Sequence, residues 1–336
     1  MKIFSVIFEG YNIERNQYAK CFLLVQEQLC TTAYCYDRSV EFEYPICSEL
    51  DVQHITEDFC AETHDHLLDS YNIAKETGCS FICFVDPLQD KRDFFNAPRF
   101  NESDFENLIS DMGGKKVPEI DVKTPDFFLD GIVMELKDIQ EESLFDNERR
   151  KTIAKIFGDL EMHTVNLDPK TDLGELTLKY HAQIRNTIQN QVKKASNQIK
   201  SYKETNHVES AGVILLNTGM FSLPDELFRS MITHILTHQT KTVEFAFVFS
   251  QVMQANGFDT VANFYCDFIG KVPEKIKPLK DKVWNLVESK MTELILSPDK
   301  NLKMSSQHPI SFFADHKIFY WNPGYLPDSR RNHTDN

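Results

Sequence analysis

No stretch of the 336 residues approaches the roughly 18 to 20 consecutive apolar positions that span a bilayer, so a transmembrane helix is not expected. The apolar run over residues 1–8 is short, is broken at Glu9 and is followed by no small-residue cleavage site. It reads as a first β-strand, and the expected compartment is the cytoplasm, with no membrane partner. Neither GxGxxG nor GxxxxGK[ST] occurs, which leaves no phosphate-cradling loop for a dinucleotide or ATP. No serine sits in a nucleophile elbow. His234 and His238 are spaced to share a helix face, but the glutamate of an HExxH zinc site is missing between them. Eight cysteines are scattered without CxxC spacing, several in apolar segments, so reduced and mostly buried thiols are expected rather than a zinc site or a disulfide framework. Positive charge is also scarce: 36 Lys and Arg face 51 Asp and Glu, for a formal net charge of -15. That balance argues against a general nucleic-acid coat protein.

What remains is ordinary globular composition, 41% hydrophobic and 26% charged, in a chain long enough for a sizeable core. The expected class is mixed α/β. Residues 1–98 read as an α/β region of unassigned role: a strand over 2–8, β-rich or irregular segments through Ile46, a helix from Glu57 to Glu76 with Thr56 as its cap and Gly78 as its end, then a buried strand in SFICFVDP. Lys91 to Asn101 is the linker candidate. Residues 99–222 form the expected core unit, beginning with a short helix from Ser103 and ending with the strand SAGVILLNTG over 210–219. A polar stretch from Glu141 to Gly174 precedes a long helix over 176–202. Residues 223–326 read as a C-terminal α/β extension, with helices over 223–235 and 280–296 and strands over 243–252 and 310–321. The tail from Pro327 is expected to be disordered.

The segment PDFFLDGIVMELK, residues 125–137, carries the chemistry. Asp130-Gly131 is a strong hairpin signal, because a type I′ turn needs positive φ at both central positions. With that turn, Phe127 faces Met134 and Asp126 lies opposite Glu135. Side chains alternate, so Asp126 and Phe128 share one face with Val133, Glu135 and Lys137, whereas Phe127, Leu129, Ile132, Met134 and Leu136 fill the other. Two carboxylates directly opposite each other repel unless something positive sits between them. A hard divalent cation, Mg²⁺ or Mn²⁺, takes carboxylate oxygens and keeps several waters, and Lys137 on the same face can serve the attacking water. The chemistry implied is metal-assisted phosphodiester hydrolysis.

In the long helix, Ile184, Ile188, Val192, Ala195, Ile199 and Tyr202 fall on one stripe at about 100° per residue. Gln191 and Gln198 flank it, with Lys194 beyond them. Lys193, Lys194, Lys200 and Lys203 give residues 193–203 a local basic character suited to phosphates.

Pro125-Asp126, Glu135-Leu136-Lys137 and the helix NQVKKASNQIKSY with its Gln198-x-x-x-Tyr202 spacing resemble the PD-(D/E)XK nuclease superfamily, which is restriction-endonuclease-like in fold, and in particular its QxxxY subgroup. The likeness covers residues 100–222. It implies a core of mixed central sheet flanked by helices and a Mg²⁺ or Mn²⁺ held by Asp126, Glu135 and the Leu136 carbonyl. Lys137 would serve the water and Gln198 would support the site or touch a phosphate. Lys193, Lys194, Lys200 and Tyr202 would meet nucleic acid, DNA ahead of RNA, and Glu106 is the acid offered by the preceding helix. Such enzymes include defence nucleases acting on foreign DNA. The competing readings are a nuclease-fold module that binds nucleic acid or a protein partner with little activity, and an unrelated interaction protein. The sequence leaves a homodimer open.

Overall fold

Ile3–Asn12 (β1) and Gln17–Gln26 (β2) are built from aliphatic and aromatic residues and pair antiparallel from Ile3↔Gln26 to Asn12↔Gln17. Asp51–Ile55 (β3) and Cys79–Val85 (β4) flank them in an antiparallel sheet of order β3-β1-β2-β4. The computed structural model describes residues 2–15, 17–63, 65–85, 98–118, 124–255, 260–296 and 309–322, with backbone alone at 252–255 and 260–262. The segment through Ile46, expected to be strand or irregular, contains a helix at Thr32–Glu41 (α1). Its residues are mediocre helix formers, but the Thr31 hydroxyl accepts the Tyr34 amide and Cys35 is buried against the sheet, so a cap and tertiary packing override propensity. The helix expected over 57–76 is two, Glu57–Thr63 (α2) and Asp65–Thr77 (α3), and ends at Gly78 with φ +99°.

Glu102–Asp111 (α4) opens on a capping box between Asn101 and Asp104. Lys115–Lys116 (β5), Phe127–Leu129 (β6) and Ile132–Ile139 (β7) then run back and forth. After Asn147–Ile156 (α5) and Thr164–Asn166 (β8), the long helix Glu175–Lys203 (α6) crosses over to Ser210–Asn217 (β9), which lies beside β7 and parallel to it. Asp225–His238 (α7) makes a second crossover to Phe245–Ala255 (β10), parallel to β9, and Thr260–Gly270 (β11) pairs back on β10. The resulting sheet has the order β11-β10-β9-β7-β6-β5. The chain is therefore mixed α/β. The boundary expected at residue 222 falls between β9 and its hydrogen-bonded neighbour β10, so β10 and β11 lie in the same sheet as the hairpin. Of the linker candidate Lys91 to Asn101, residues 91–97 lie outside the described residues, as does the tail from Pro327, whereas Phe100 is buried in the core and Asn101 caps α4.

Both faces of this sheet are covered, which explains why every residue of β9 is buried. On one face Val133, Val213, Leu215 and Val248 pack under the α6 stripe of Ile184, Ile188, Val192, Ala195 and Ile199 and under Phe228 and Ile232 of α7. On the other, Phe127, Met134, Ile214, Phe245 and Phe247 meet Phe105 and Ile109 of α4 and Leu279 and Val283 of Pro278–Leu296 (α8). Residues 310–321, expected as one strand, are a hairpin of Ile310–Ala314 (β12) and Lys317–Trp321 (β13), turned by Asp315 and His316, both at positive φ. β13 runs parallel to β8. Its Ile318 enters the N-terminal core beside Val6, Leu23 and Ile46, while Phe319 and Trp321 enter the core under the central sheet. Among the described residues no helix is long and apolar enough to cross a membrane.

Candidate active site

Asp130 at φ +43° and Gly131 at φ +83° form the turn that sets the β6–β7 register: Leu129↔Ile132, Phe128↔Val133, Phe127↔Met134. One step further, that register aligns Asp126 with Glu135, and two steps further Pro125 with Leu136. A regular ladder would place a residue-125 amide against the Leu136 carbonyl, and proline has none. The Leu136 amide is taken instead by the Asp126 side chain, which accepts it at Oδ2, 2.7 Å away. In a strand the N–H and C=O of one residue point to the same side, so the Leu136 carbonyl also faces the Asp126 edge. The Asp126 carbonyl accepts from Val117, 2.8 Å, and ties the start of β6 to the end of β5.

Glu135 is only 1% exposed. Its Oε1 is paired with the Lys137 ammonium, two residues along the same face. Its Oε2 is buried and has no hydrogen-bond partner among the described residues. Burial pushes the Glu135 carboxyl up to about 7, with Lys137 pulling down and the Asp126 carboxylate adding to the rise. Asp126 is likewise raised, by burial first, against the Leu136 amide and Lys137. The buried Glu142 makes an instructive contrast, since its oxygens accept the Leu144 amide at 3.0 Å and the Ser222 amide and hydroxyl at 2.9 Å. Glu142 is a satisfied structural acid; Glu135 is not.

Gln198 reaches the site from α6. Its Nε2 donates to the Thr124 carbonyl, 3.3 Å, tethering the segment that leads into Pro125, and its amide lies near enough to Glu135 to favour the carboxylate. Lys194, one turn earlier on the same side of α6, is exposed. Lys193 and Lys200 are also exposed, but helical spacing turns them about 140° to 160° away from Gln198, so the basic run divides and of these three lysines only Lys194 shares the Gln198 side of the helix. Tyr202 packs along the buried α6 stripe. Glu106 is directed to Lys116, 3.7 Å away. The acid of α4 that acts on Asp126 is Glu102, which holds the same Lys116 at 2.6 Å and raises the Asp126 carboxyl. Glu102 and Lys116 were missed in the sequence, although Glu102 stands one helical turn before Glu106 on the same face and was legible by that spacing. Among the described residues no group of three or more His, Cys, Asp and Glu is arranged to hold a metal, so the donors the hairpin offers are two carboxylates and a carbonyl. Half-buried His234 and exposed His238 stack with ring centroids 4.6 Å apart, and His238 Nδ1 lies 3.0 Å from the His234 carbonyl. Compared with known proteins, the chain matches no family model, no curated protein and no solved structure.

Proposed function

We propose that the chain is a nuclease that uses Mg²⁺ or Mn²⁺ to hydrolyse phosphodiester bonds, with DNA as its substrate. The observation that carries this reading is the unsatisfied Glu135 oxygen beside Asp126. A buried acceptor left without a partner costs roughly 1–3 kcal/mol, more when charged, and persists where something outside the chain completes it. The donor set fits a hard cation: two carboxylates and the Leu136 carbonyl leave room for waters and a phosphate oxygen, as Mg²⁺ requires. Such an ion supplies Lewis-acid polarisation of the phosphoryl oxygen and a more acidic water.

The chain's own residues do the rest. Asp126 and Glu135 bring two carboxylate groups to one edge, held in register by the Asp130-Gly131 turn. Lys137 pairs with Glu135, partly offsetting the effect of its burial, and presents an ammonium to the attacking water and to the charge that develops on the phosphoryl group. Gln198 fixes the approach to Pro125 and presents an amide to a phosphate, with Lys194 offering a positive charge to the strand. The order α4, β5–β7, α6, β9, with β9 parallel to β7, supports the restriction-endonuclease-like comparison.

The test is cleavage of plasmid, linear duplex, single-stranded DNA and RNA with Mg²⁺, Mn²⁺ or EDTA, comparing the wild type with Glu135→Gln and Lys137→Ala. The expected outcome is metal-dependent DNA cleavage that falls at least about 100-fold in either variant, the scale of losing one transition-state charge contact. Cleavage that persists in EDTA, or at wild-type rate in Glu135→Gln, overturns the assignment.

A further inference from the structure

Seven of the eight cysteines lie between positions 21 and 83, and all eight are free thiols. Two of them meet at the entrance of α1. Cys30 follows the 3-10 turn Glu27–Leu29 and directly precedes Thr31, whose hydroxyl caps the helix by accepting the Tyr34 amide. Counted from that cap, Cys30 is the residue before it and Cys35 the fourth residue of the helix. Side chains at these two positions pack against each other across a helix start, ordinarily as a hydrophobic staple. Here both ends of the staple are thiols.

Their surroundings differ in the way thiol exchange requires. Cys35 is 2% exposed, inside the cluster of Val6, Leu23 and Val25, whereas Cys30 lies at the rim of that cluster and is partly open to solvent. The Cys35 thiol acts directly on Cys30 and lowers it to about 7, and the same contact together with burial drives Cys35 upward. The amides at the start of α1 favour an anion at the Cys30 position as well. The other facing pair, Cys21 and Cys83 of β2 and β4, also joins a buried thiol to a partly exposed one, but it lies within the strands, with no helix start beside it to favour a thiolate.

We propose that Cys30 and Cys35 form a reversible dithiol–disulfide pair, oxidised by a low-molecular-weight disulfide such as oxidised glutathione. The Cys30 thiolate attacks one sulfur of the small disulfide, forming a mixed disulfide and expelling one thiolate. Cys35 then loses its proton to solvent and attacks the Cys30 sulfur, closing the intramolecular bond and expelling the second thiolate. Two protein thiols are oxidised, and one small disulfide is reduced to two thiols. The bond closes across the first turn of the helix whose Tyr36 hydroxyl donates to the Ser311 carbonyl of β12, 3.3 Å, so its state is registered where the N-terminal unit meets the C-terminal hairpin.

The experiment equilibrates the full chain in glutathione buffers of graded ratio, blocks free thiols with a maleimide and maps the peptides. A single disulfide joining Cys30 and Cys35, reversed by dithiothreitol, is expected. Cys35→Ser is expected to accumulate glutathione on Cys30. In the reduced wild type, the rate of Cys30 alkylation by iodoacetamide is expected to rise with a pH midpoint near about 7, against about 8.5 for an ordinary thiol. No disulfide in oxidising buffer, a bond joining Cys35 to Cys79 instead, or a Cys30 midpoint above about 8 each overturns the proposal.

Discussion

Replacing Glu135 by Gln is expected to strengthen the metal-free fold above neutral pH while removing metal binding. The carboxyl moves from an ordinary 4.5 to about 7 on folding, chiefly because it is buried. Between those two values the unfolded chain has released its proton and the folded chain still holds it, so stability falls as pH rises through the window and stays low above it. The shift corresponds to about 3 kcal/mol at pH 8. Glutamine carries no such charge. It leaves Lys137 with a neutral partner, but that side chain is 20% exposed and can reach water, so the expected net gain is about 1–3 kcal/mol at pH 8 and under about 1 kcal/mol at pH 5. Urea unfolding of both proteins in EDTA at the two pH values measures the difference directly. Adding Mg²⁺ at about 100 times its dissociation constant is expected to restore about 2.7 kcal/mol to the wild type and nothing to the variant. A variant less stable than wild type at pH 8 in EDTA, or a difference that does not shrink at pH 5, refutes the reasoning.

Three further outcomes follow from named contacts. Lys194→Ala is expected to weaken DNA binding and to lower the salt slope by about 0.9, whereas Lys193→Ala and Lys200→Ala, on another side of α6, are expected to leave both nearly unchanged; titration at three salt concentrations reads this. In Gly219→Ala the new Cβ would lie 1.8 Å from the Gln140 carbonyl oxygen and 2.1 Å from its carbon, both backbone, so the loop after β7 must open; little folded protein is expected in circular dichroism or on gel filtration. Arg149→Ala removes guanidinium bonds to the Gln183 carbonyl, 2.7 Å, and side chain, 3.2 Å, that dock α5 on α6, and is expected to lower stability by about 1–3 kcal/mol in urea unfolding.

The parts of the fold that were legible in the sequence are those in which local and tertiary requirements coincide. Asp130-Gly131 can hardly form anything but a tight turn, and once the turn is set, alternation assigns Phe127 and Met134 to one face and Val133 and Glu135 to the other. The α6 stripe and the unbroken apolar run of β9 were legible for the same reason. Where tertiary packing decides, the sequence was silent. α1 is held by one cap and by the sheet beneath it, β8 is three residues long, and Asp315-His316 adopts a hairpin turn without a glycine to announce it. At the site, lysines adjacent in sequence were expected to act as one basic face, but 100° per residue sends Lys193 and Lys194 to different surroundings. Glu106 was expected without regard to Glu102, one turn earlier on the same face; that Glu102 is the acid acting on Asp126 is a matter of tertiary placement.

The hairpin at residues 310–321 sets the order in which the chain can be completed as it is made. Ile318 fills a place among Val6, Leu23 and Ile46, some three hundred residues upstream, so the core around β1 and β2 waits until the chain has been synthesised past residue 318. Contacts this distant in sequence close late and slowly. The strands that carry Asp126 and Glu135 and the helix that carries Gln198 can associate well before then. In a newly made molecule the assembly of the candidate site therefore precedes the closing of the N-terminal unit, and a chain cut short before residue 310 would present that unit with its apolar interior still open to other molecules.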